Sequence, residues 1–340
     1  MSALAVAPNP DSRPGRSAPS GSLRVAFVNN MSEGGVRQTE RLFARLLDAS
    51  ASGLEIEVRP YRVRALGEPG ATEELPYGYA PLDDLFEHGA DAVIVTGAEP
   101  RAPRLDEEAY WGDLQRLFDW IEEAGRPALL SCLAAHAALL HYDGVERRRL
   151  PAKCSGVFPQ QVARHHLLGH GLPSSVSMPH SRYNDVPVAA VAAAGYEPVL
   201  QSTEVGWTVA ARRQGRALLV LAQGHPEYSG TTLLREYRRD VGRYLARSQE
   251  DLPVLPRRCI EGPKAVTLRR FHERLPGVGR TPALMDEFPI DIRSVPGRAP
   301  WSGPAARLVN NWLSEVAAPA GAEPAVAPGA CRSRPRRRTH

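Results

Sequence analysis

Cysteine and aromatic residues are scarce in this sequence, and long apolar runs are missing. The four cysteines among 340 residues, Cys132, Cys154, Cys259 and Cys331, stand far apart with no CxxC pair. That spacing argues against a disulfide framework and against a cysteine-rich zinc site. No stretch of about 18 uninterrupted apolar residues occurs, so no membrane span is expected. Residues 1–22 lack the apolar core of a secretory signal. No P-loop or GxGxxG lies where a strand gives way to a helix, which disfavours a nucleotide-binding fold. His165, His166 and His170 lie close in sequence but have no Cys or acid at ligand spacing, so no metal site is expected. These absences point to a reducing cytoplasm as the place of action.

The charge is unevenly spread. The formal net charge is +4, yet residues 331–340 alone hold five Arg and no acid. The remainder is close to neutral, so the basic balance does not point to nucleic acid. Residues 1–22 and 318–340 are rich in Ala, Pro, Ser, Gly or Arg and read as a disordered leader and a disordered basic tail.

Residues 23–317 alternate strand and helix patterns. Apolar, β-branched runs at 23–29, 54–63, 91–97 and 127–131 read as strands. Leu42, Phe43, Leu46 and Leu47 mark a helix over 37–49, and Trp111, Leu114, Leu117, Phe118 and Ile121 another over 109–124. A third follows at 133–142, and residues 66–78 read as a Gly- and Pro-rich loop. This rhythm predicts an α/β fold with a mostly parallel sheet and helices on both faces. The second half reads differently. Residues 150–190 are broken by Pro and Gly and suggest short strands. Three strands are expected over 196–223, then a helix over 230–247, an extended wrap over 251–302, and a last helix over 303–317.

The most informative junction is Ser131-Cys132-Leu133. A buried strand runs into the cysteine, and an Ala-rich helix follows at once, the arrangement of a nucleophile elbow. A helix N-terminus favours a thiolate, and the Leu133 N–H would face an oxyanion on a substrate carbonyl. Taken alone, the same cysteine would also suit a packed core. In "GHPEY", His225 ends a strand and Glu227 lies two residues on. Cys132, His225 and Glu227 therefore form a candidate triad of nucleophile, base and orienting carboxylate. "MPHSRYNDVP" at 178–187 gathers His180, Ser181, Arg182, Tyr183 and Asp185 in what reads as a polar recognition loop.

Seven stretches, in order and in spacing, resemble the MetA-type homoserine O-acyltransferases (O-succinyl- and O-acetyltransferases). They are "VNNM…TERLFARLL", "AVIVTGA…AYW", "CLAAHAAL", "LPAKCSGVF", "MPHSRYNDVP", "GHPEY…TLLREYRRD" and "LVNNWL". The resemblance runs from about Leu23 to about Val316 and makes 23–317 an acyltransferase domain. It implies a class I glutamine amidotransferase-like fold with a flavodoxin-like core. It also implies acyl transfer from succinyl-CoA or acetyl-CoA to L-homoserine, on the way to methionine. Cys132 matches the acyl-thioester nucleophile, His225 the general base and Glu227 its carboxylate, with Leu133 in the oxyanion hole. Lys153, Ser181, Arg239 and Glu236 match substrate-site residues, Arg239 being the one associated with the amino-acid carboxylate. No cofactor is implied beyond the acyl-CoA co-substrate, and a homodimer is expected, with neither nucleic acid nor membrane as partner.

Two departures from the family pattern bear on specificity. Residues 31–38 lack the family's lysine-rich sequence and read as an altered loop beside the site. In the family, the sixth residue of the stretch beginning Thr96-Gly97-Ala98 goes with acyl choice, glycine with succinyl and glutamate with acetyl. Here it is Arg101, whose charge suits the distal carboxylate of succinyl, so succinyl is the expected donor. Transfer to another hydroxy-amino acid such as serine, a glutamine amidotransferase, and a non-catalytic binding protein remain as alternatives at this level.

Overall fold

Short runs of Val, Ile, Leu and Ala cannot satisfy their backbone polar groups alone, and here they pair edge to edge in one large sheet. The computed structural model describes Leu4–Ala5 and residues 22–63 and 78–318. Its strands are β1 (Leu4–Ala5), β2 (Leu23–Val28), β3 (Ile56–Arg62), β4 (Ala80–Pro81), β5 (Ala92–Val95) and β6 (Ala128–Ser131). They continue with β7 (Arg148–Val162), β8 (Ser175–Asp185), β9 (Glu197–Ser202), β10 (Gly206–Gln214) and β11 (Ala217–Ala222). The sheet order is β1-β3-β2-β5-β6-β11-β10-β9-β7-β8, with β4 on β3. Six of the ten pairings are parallel, and the antiparallel ones are β11–β10, β10–β9, β9–β7 and β7–β8. The expected α/β sheet is therefore present, with an antiparallel half added by the C-terminal strands.

The helices are α1 (Glu33–Ser50), α2 (Leu82–His88), α3 (Trp111–Glu123), α4 (Leu133–Asp143), α5 (Val188–Ala193), α6 (Thr232–Leu245), α7 (Gly262–Arg274) and α8 (Ser302–Ala317). Alternation along the strands divides the core between two faces. Ala128 and Leu130 of β6 face Leu114, Leu117, Phe118 and Ile121 of α3. Leu129 faces the opposite cluster, which includes Phe43 and Leu47 of α1 and Leu308, Trp312 and Leu313 of α8. A separate apolar cluster joins α6, through Tyr237 and Val241, to Leu268 and Phe271 of α7.

Four expectations are corrected. Residues 31–38 are not an open loop, because α1 begins at Glu33 and absorbs most of them. Residues 150–190 are not short strands; β7 and β8 form one long hairpin, interrupted by a register shift between Arg149 and Cys154. Proline misleads here: β8 is the last strand of the sheet, and an edge tolerates a missing N–H. The stretch 178–187 is thus mostly strand, and period-two alternation buries His180 and Arg182 while Ser181 faces the other way. The wrap over 251–302 contains α7, started by Pro263 in its first turn. Of the expected leader the structure describes Leu4–Ala5, as a two-residue strand beside β3, and Ser22. The remainder of the leader, residues 66–77 of the expected loop and the tail from 319 onward lie outside the described residues.

Candidate active site

Strand β6 is fully buried and ends at Ser131; the chain then turns through Cys132 at φ 54° and ψ −110° before α4 begins at Leu133. A side chain at positive φ carries local strain of about 1–3 kcal/mol, so the surrounding structure must hold it there. The Cys132 N–H donates to the Ala222 carbonyl at 2.7 Å, and its own carbonyl accepts from Ala135 N–H at 3.1 Å. Two residues beyond β5, Gly97 presses against the turn. A Cβ on Gly97 would lie 3.2 Å from the Leu133 nitrogen and 3.4 Å from Cys132 Cβ. Cys132 remains partly exposed although Leu133 to Leu139 behind it are buried. The small residues of α4 let it lie close to the sheet, and its first N–H groups, Leu133 included, have no partner within the helix.

The base arrives on the neighbouring strand. β11 pairs parallel to β6 with Ala222 opposite Ser131, so Cys132 and the Gln223-Gly224-His225 turn leave the sheet side by side. The turn is fixed by its backbone. Gln223 and Gly224 N–H both donate to the Thr208 carbonyl, and His225 N–H donates to Pro179 at 2.9 Å. Gly224 has no room for a side chain, since a Cβ would lie 2.6 Å from Thr208 Cγ2. His225 and Glu227 are both buried, and Nδ1 of the ring donates to Glu227 Oε1 at 2.8 Å. Among the described residues, His225 Nε2 and Glu227 Oε2 have no hydrogen-bond partner of ordinary geometry. Burial alone would lower the His225 pKa, but the Glu227 carboxylate and the Cys132 sulfur outweigh it and hold it well above the ordinary histidine value. This ring is therefore poised to carry a proton opposite Cys132. His136 and His180 nearby differ. Burial drives His136 down to about 3, with a hydrogen bond to Gln223, and drives His180 well below its usual value. Both are neutral scaffold.

A second cluster lies on α6. Glu236 and Asp240 are four residues apart and share a face of the helix. Ser181 donates to Glu236 Oε2 at 2.5 Å, Tyr228 donates to Glu236 Oε1 at 2.6 Å, and Lys153 Nζ lies 2.9 Å from Asp240 Oδ2 and 3.8 Å from Glu236. Arg239 reaches Asp240 Oδ1 through Nε and Nη2, at 3.0 and 2.8 Å, with about half its side chain exposed at 51%. Lys153, Ser181, Glu236 and Arg239, read from sequence, thus meet in space. Asp240 and Tyr228 were missed. The i, i+4 spacing to Glu236 would have found Asp240, and Tyr228 sits inside the same "GHPEY" stretch that supplied His225 and Glu227.

Arg101 stands apart from this convergence. Its side chain is exposed, while its N–H and that of Ala102 donate to the buried Glu108 carboxylate at 2.8 and 3.0 Å. The Arg101 guanidinium therefore faces water, where an ion pair is screened.

The family model described as homoserine O-succinyltransferase matches residues 15–320. The chain belongs to the homoserine O-succinyltransferase family. Within it, the chain is 42% identical over 295 residues to a homoserine O-succinyltransferase of Methylorubrum extorquens, covering 86% of this chain and 87% of that one. It is 40% identical over 307 residues to one from Rhodopseudomonas palustris, covering 89% and 91%. Among solved structures, a glutamine amidotransferase from Thermotoga maritima overlaps 87% of this family member and 98% of its own chain, at TM-score 0.49 and 12% identity. Among the described residues, no helix is long and apolar enough to cross a membrane.

Proposed function

We propose that this chain transfers an acyl group, preferentially succinyl, from acyl-CoA to the hydroxyl of L-homoserine in methionine biosynthesis. The observation that carries the reading is the strained Cys132 elbow beside the buried His225–Glu227 pair, in a member of this family. The cycle is ping-pong. The Cys132 thiolate attacks the thioester carbonyl, and the oxyanion is met by N–H groups at the start of α4, Leu133 first. The C–S bond to CoA breaks, and the His225 imidazolium gives its proton to the departing thiolate. The homoserine hydroxyl then attacks the acyl-enzyme while His225 Nε2 takes its proton, and Cys132 is released. Thioester-to-thioester exchange is close to isoenergetic, so binding energy is free for positioning. The scheme asks for no metal or prosthetic group, and a reducing cytoplasm suits cysteines that are free, as Cys132, Cys154 and Cys259 are among the described residues. The test is CoA release from succinyl-CoA and acetyl-CoA against homoserine, serine and other hydroxy-amino acids, with glutamate release from glutamine as a separate arm. Homoserine-dependent release from succinyl-CoA is expected; glutaminase activity without acyl transfer would overturn the reading.

In this scheme Arg239 reads the acceptor carboxylate. Arg239→Ala is expected to raise the homoserine KM about tenfold, the low end for a charge-assisted contact because the side chain is half exposed. Single-turnover acylation of Cys132 should be unchanged, and an unaltered KM would return Arg239 to a purely structural pairing with Asp240. The names of the relatives support succinyl as donor more strongly than Arg101 does. Arg101→Glu is expected to lower the succinyl-to-acetyl ratio of kcat/KM by no more than about fivefold, the reach of an exposed ion pair. A larger shift would show that Arg101 becomes sheltered when the donor binds.

A further inference from the structure

The ring of Tyr228 lies over that of His225, with centroids 4.1 Å apart and planes 20° from parallel. The hydroxyl of the same residue donates to Glu236 Oε1. One side chain thus touches both the imidazole that would move protons and the carboxylate at the centre of the Lys153, Ser181 and Asp240 cluster. It is firmly held. The Tyr228 N–H donates to the His225 carbonyl at 3.2 Å, the Trp301 indole donates to the Tyr228 carbonyl at 2.7 Å, and Gly230 N–H donates to Gly297. The segment from 297 to 301 therefore braces the turn from outside. Burial, and then the carboxylates of Glu236 and Glu227, keep the phenol well above its ordinary pKa, so it stays a donor.

We infer that Tyr228 is a positioning residue that couples the two halves of the reaction: its ring holds the charged imidazole in plane, and its hydroxyl sets Glu236 for the acceptor. The inference rests on the functional reading above and extends it to a residue that reading does not use. An aromatic face stabilises a cation above it, so the ring favours imidazolium at His225. The stack also fixes the ring plane, which keeps Nδ1 on Glu227 and Nε2 turned toward Cys132. The other groups facing His225 are Glu227 from the same turn, Cys132 from the end of β6 and neutral His180 from β8. Glu236 reaches it only through Tyr228. On the acceptor side, both Glu236 oxygens already accept a hydroxyl proton, from Ser181 and Tyr228, which fixes the carboxylate plane. Their remaining lone pairs are available to a substrate ammonium.

Two variants separate the roles. Tyr228→Leu removes ring and hydroxyl, whereas Tyr228→Phe keeps the ring and removes only the hydroxyl. The first readout is the pH dependence of Cys132 alkylation by iodoacetamide, which needs neither acyl donor nor acceptor. Tyr228→Leu is expected to move its onset upward by roughly half to one and a half pH units, because the ion pair loses its aromatic support. Tyr228→Phe should keep the parent profile, which a general loss of packing would not predict. The second readout is steady-state kinetics: Tyr228→Phe is expected to raise the homoserine KM about tenfold with acylation of Cys132 unchanged. An unshifted alkylation profile in a folded Tyr228→Leu overturns the role of the ring. If that variant does not fold, the Phe variant alone decides, and an unchanged KM in it overturns the coupling. Failure of the functional reading looks different, because the parent itself would then form no acyl-enzyme at Cys132.

Discussion

Cys132→Ala is expected to abolish acyl transfer, by about 10⁴-fold or more, since the nucleophile and its base act as a unit. In the parent, incubation with succinyl-CoA and no acceptor should add one acyl group, and peptide mapping should find it on Cys132. The environment separates this thiol from the others. Burial pushes Cys154 up and Cys259 up to about 11, so both stay protonated and poorly nucleophilic. Ala at Cys154, Cys259 or Cys331 should leave the adduct in place. An adduct on Cys154 alone, or none at all, would sink the assignment. The elbow offers an independent check: Cys132→Gly loses activity but relieves a positive φ, so it should match or exceed the parent in thermal stability.

The next largest effect is expected at the base. His225→Ala should lower kcat/KM by about 10²–10⁴-fold, the usual worth of a positioned proton carrier. Glu227→Gln should cost less, because it keeps a hydrogen-bond partner for Nδ1 and removes only the charge that supports imidazolium. Its signature is in pH. Glu227 is the strongest influence holding the His225 pKa high, so without it the imidazolium needed by the leaving thiolate is lost at lower pH. The alkaline limb of single-turnover acylation should therefore move down in Glu227→Gln. A variant slower at every pH with an unmoved limb would mean that Glu227 acts by position alone, and full activity in His225→Ala would end the triad.

Much of this was legible in the residues because the chemistry is written locally. A four-residue apolar strand, a cysteine and a run of alanines can hardly be other than a tight strand-to-helix turn, and the structure has it within a residue. The pairing of that turn with "GHPEY" was also readable, since both follow buried strands. What escaped depends on partners distant in sequence. Pro151, Pro159 and Pro179 look like breaks, yet each sits where a ladder N–H can be spared: Pro179 in the edge strand β8, Pro151 in the irregularity between Arg149 and Cys154, and Pro159 in a part of β7 that β9, paired only at Gln161 and Val162, does not reach. The charge of Arg101, which suits succinyl, was legible, but its surroundings were not. Its side chain is exposed, and the Glu108 carboxylate accepts from the Arg101 and Ala102 N–H groups, a contact that no local pattern announces. Tyr228 was hidden by its company: beside a histidine and a glutamate, an aromatic reads as packing.

The order of strands in the sheet is not their order in the chain. β11 sits between β6 and β10, and Ala222 supplies the carbonyl that pins Cys132, yet β11 is the last strand to be synthesised. At translation speeds of about 5–20 residues per second, the ribosome needs roughly 5–20 seconds to pass from the nucleophile to its partner strand. Throughout that interval β6 has one open edge and the cysteine has no histidine beside it. The nascent chain therefore carries an unarmed thiol, and reactivity appears only when the final strand slides into the middle of the sheet. A C-terminal truncation ending before Ala217 would leave the central edge of β6 open to another chain. Such fragments should aggregate through strand pairing rather than persist as inactive monomers.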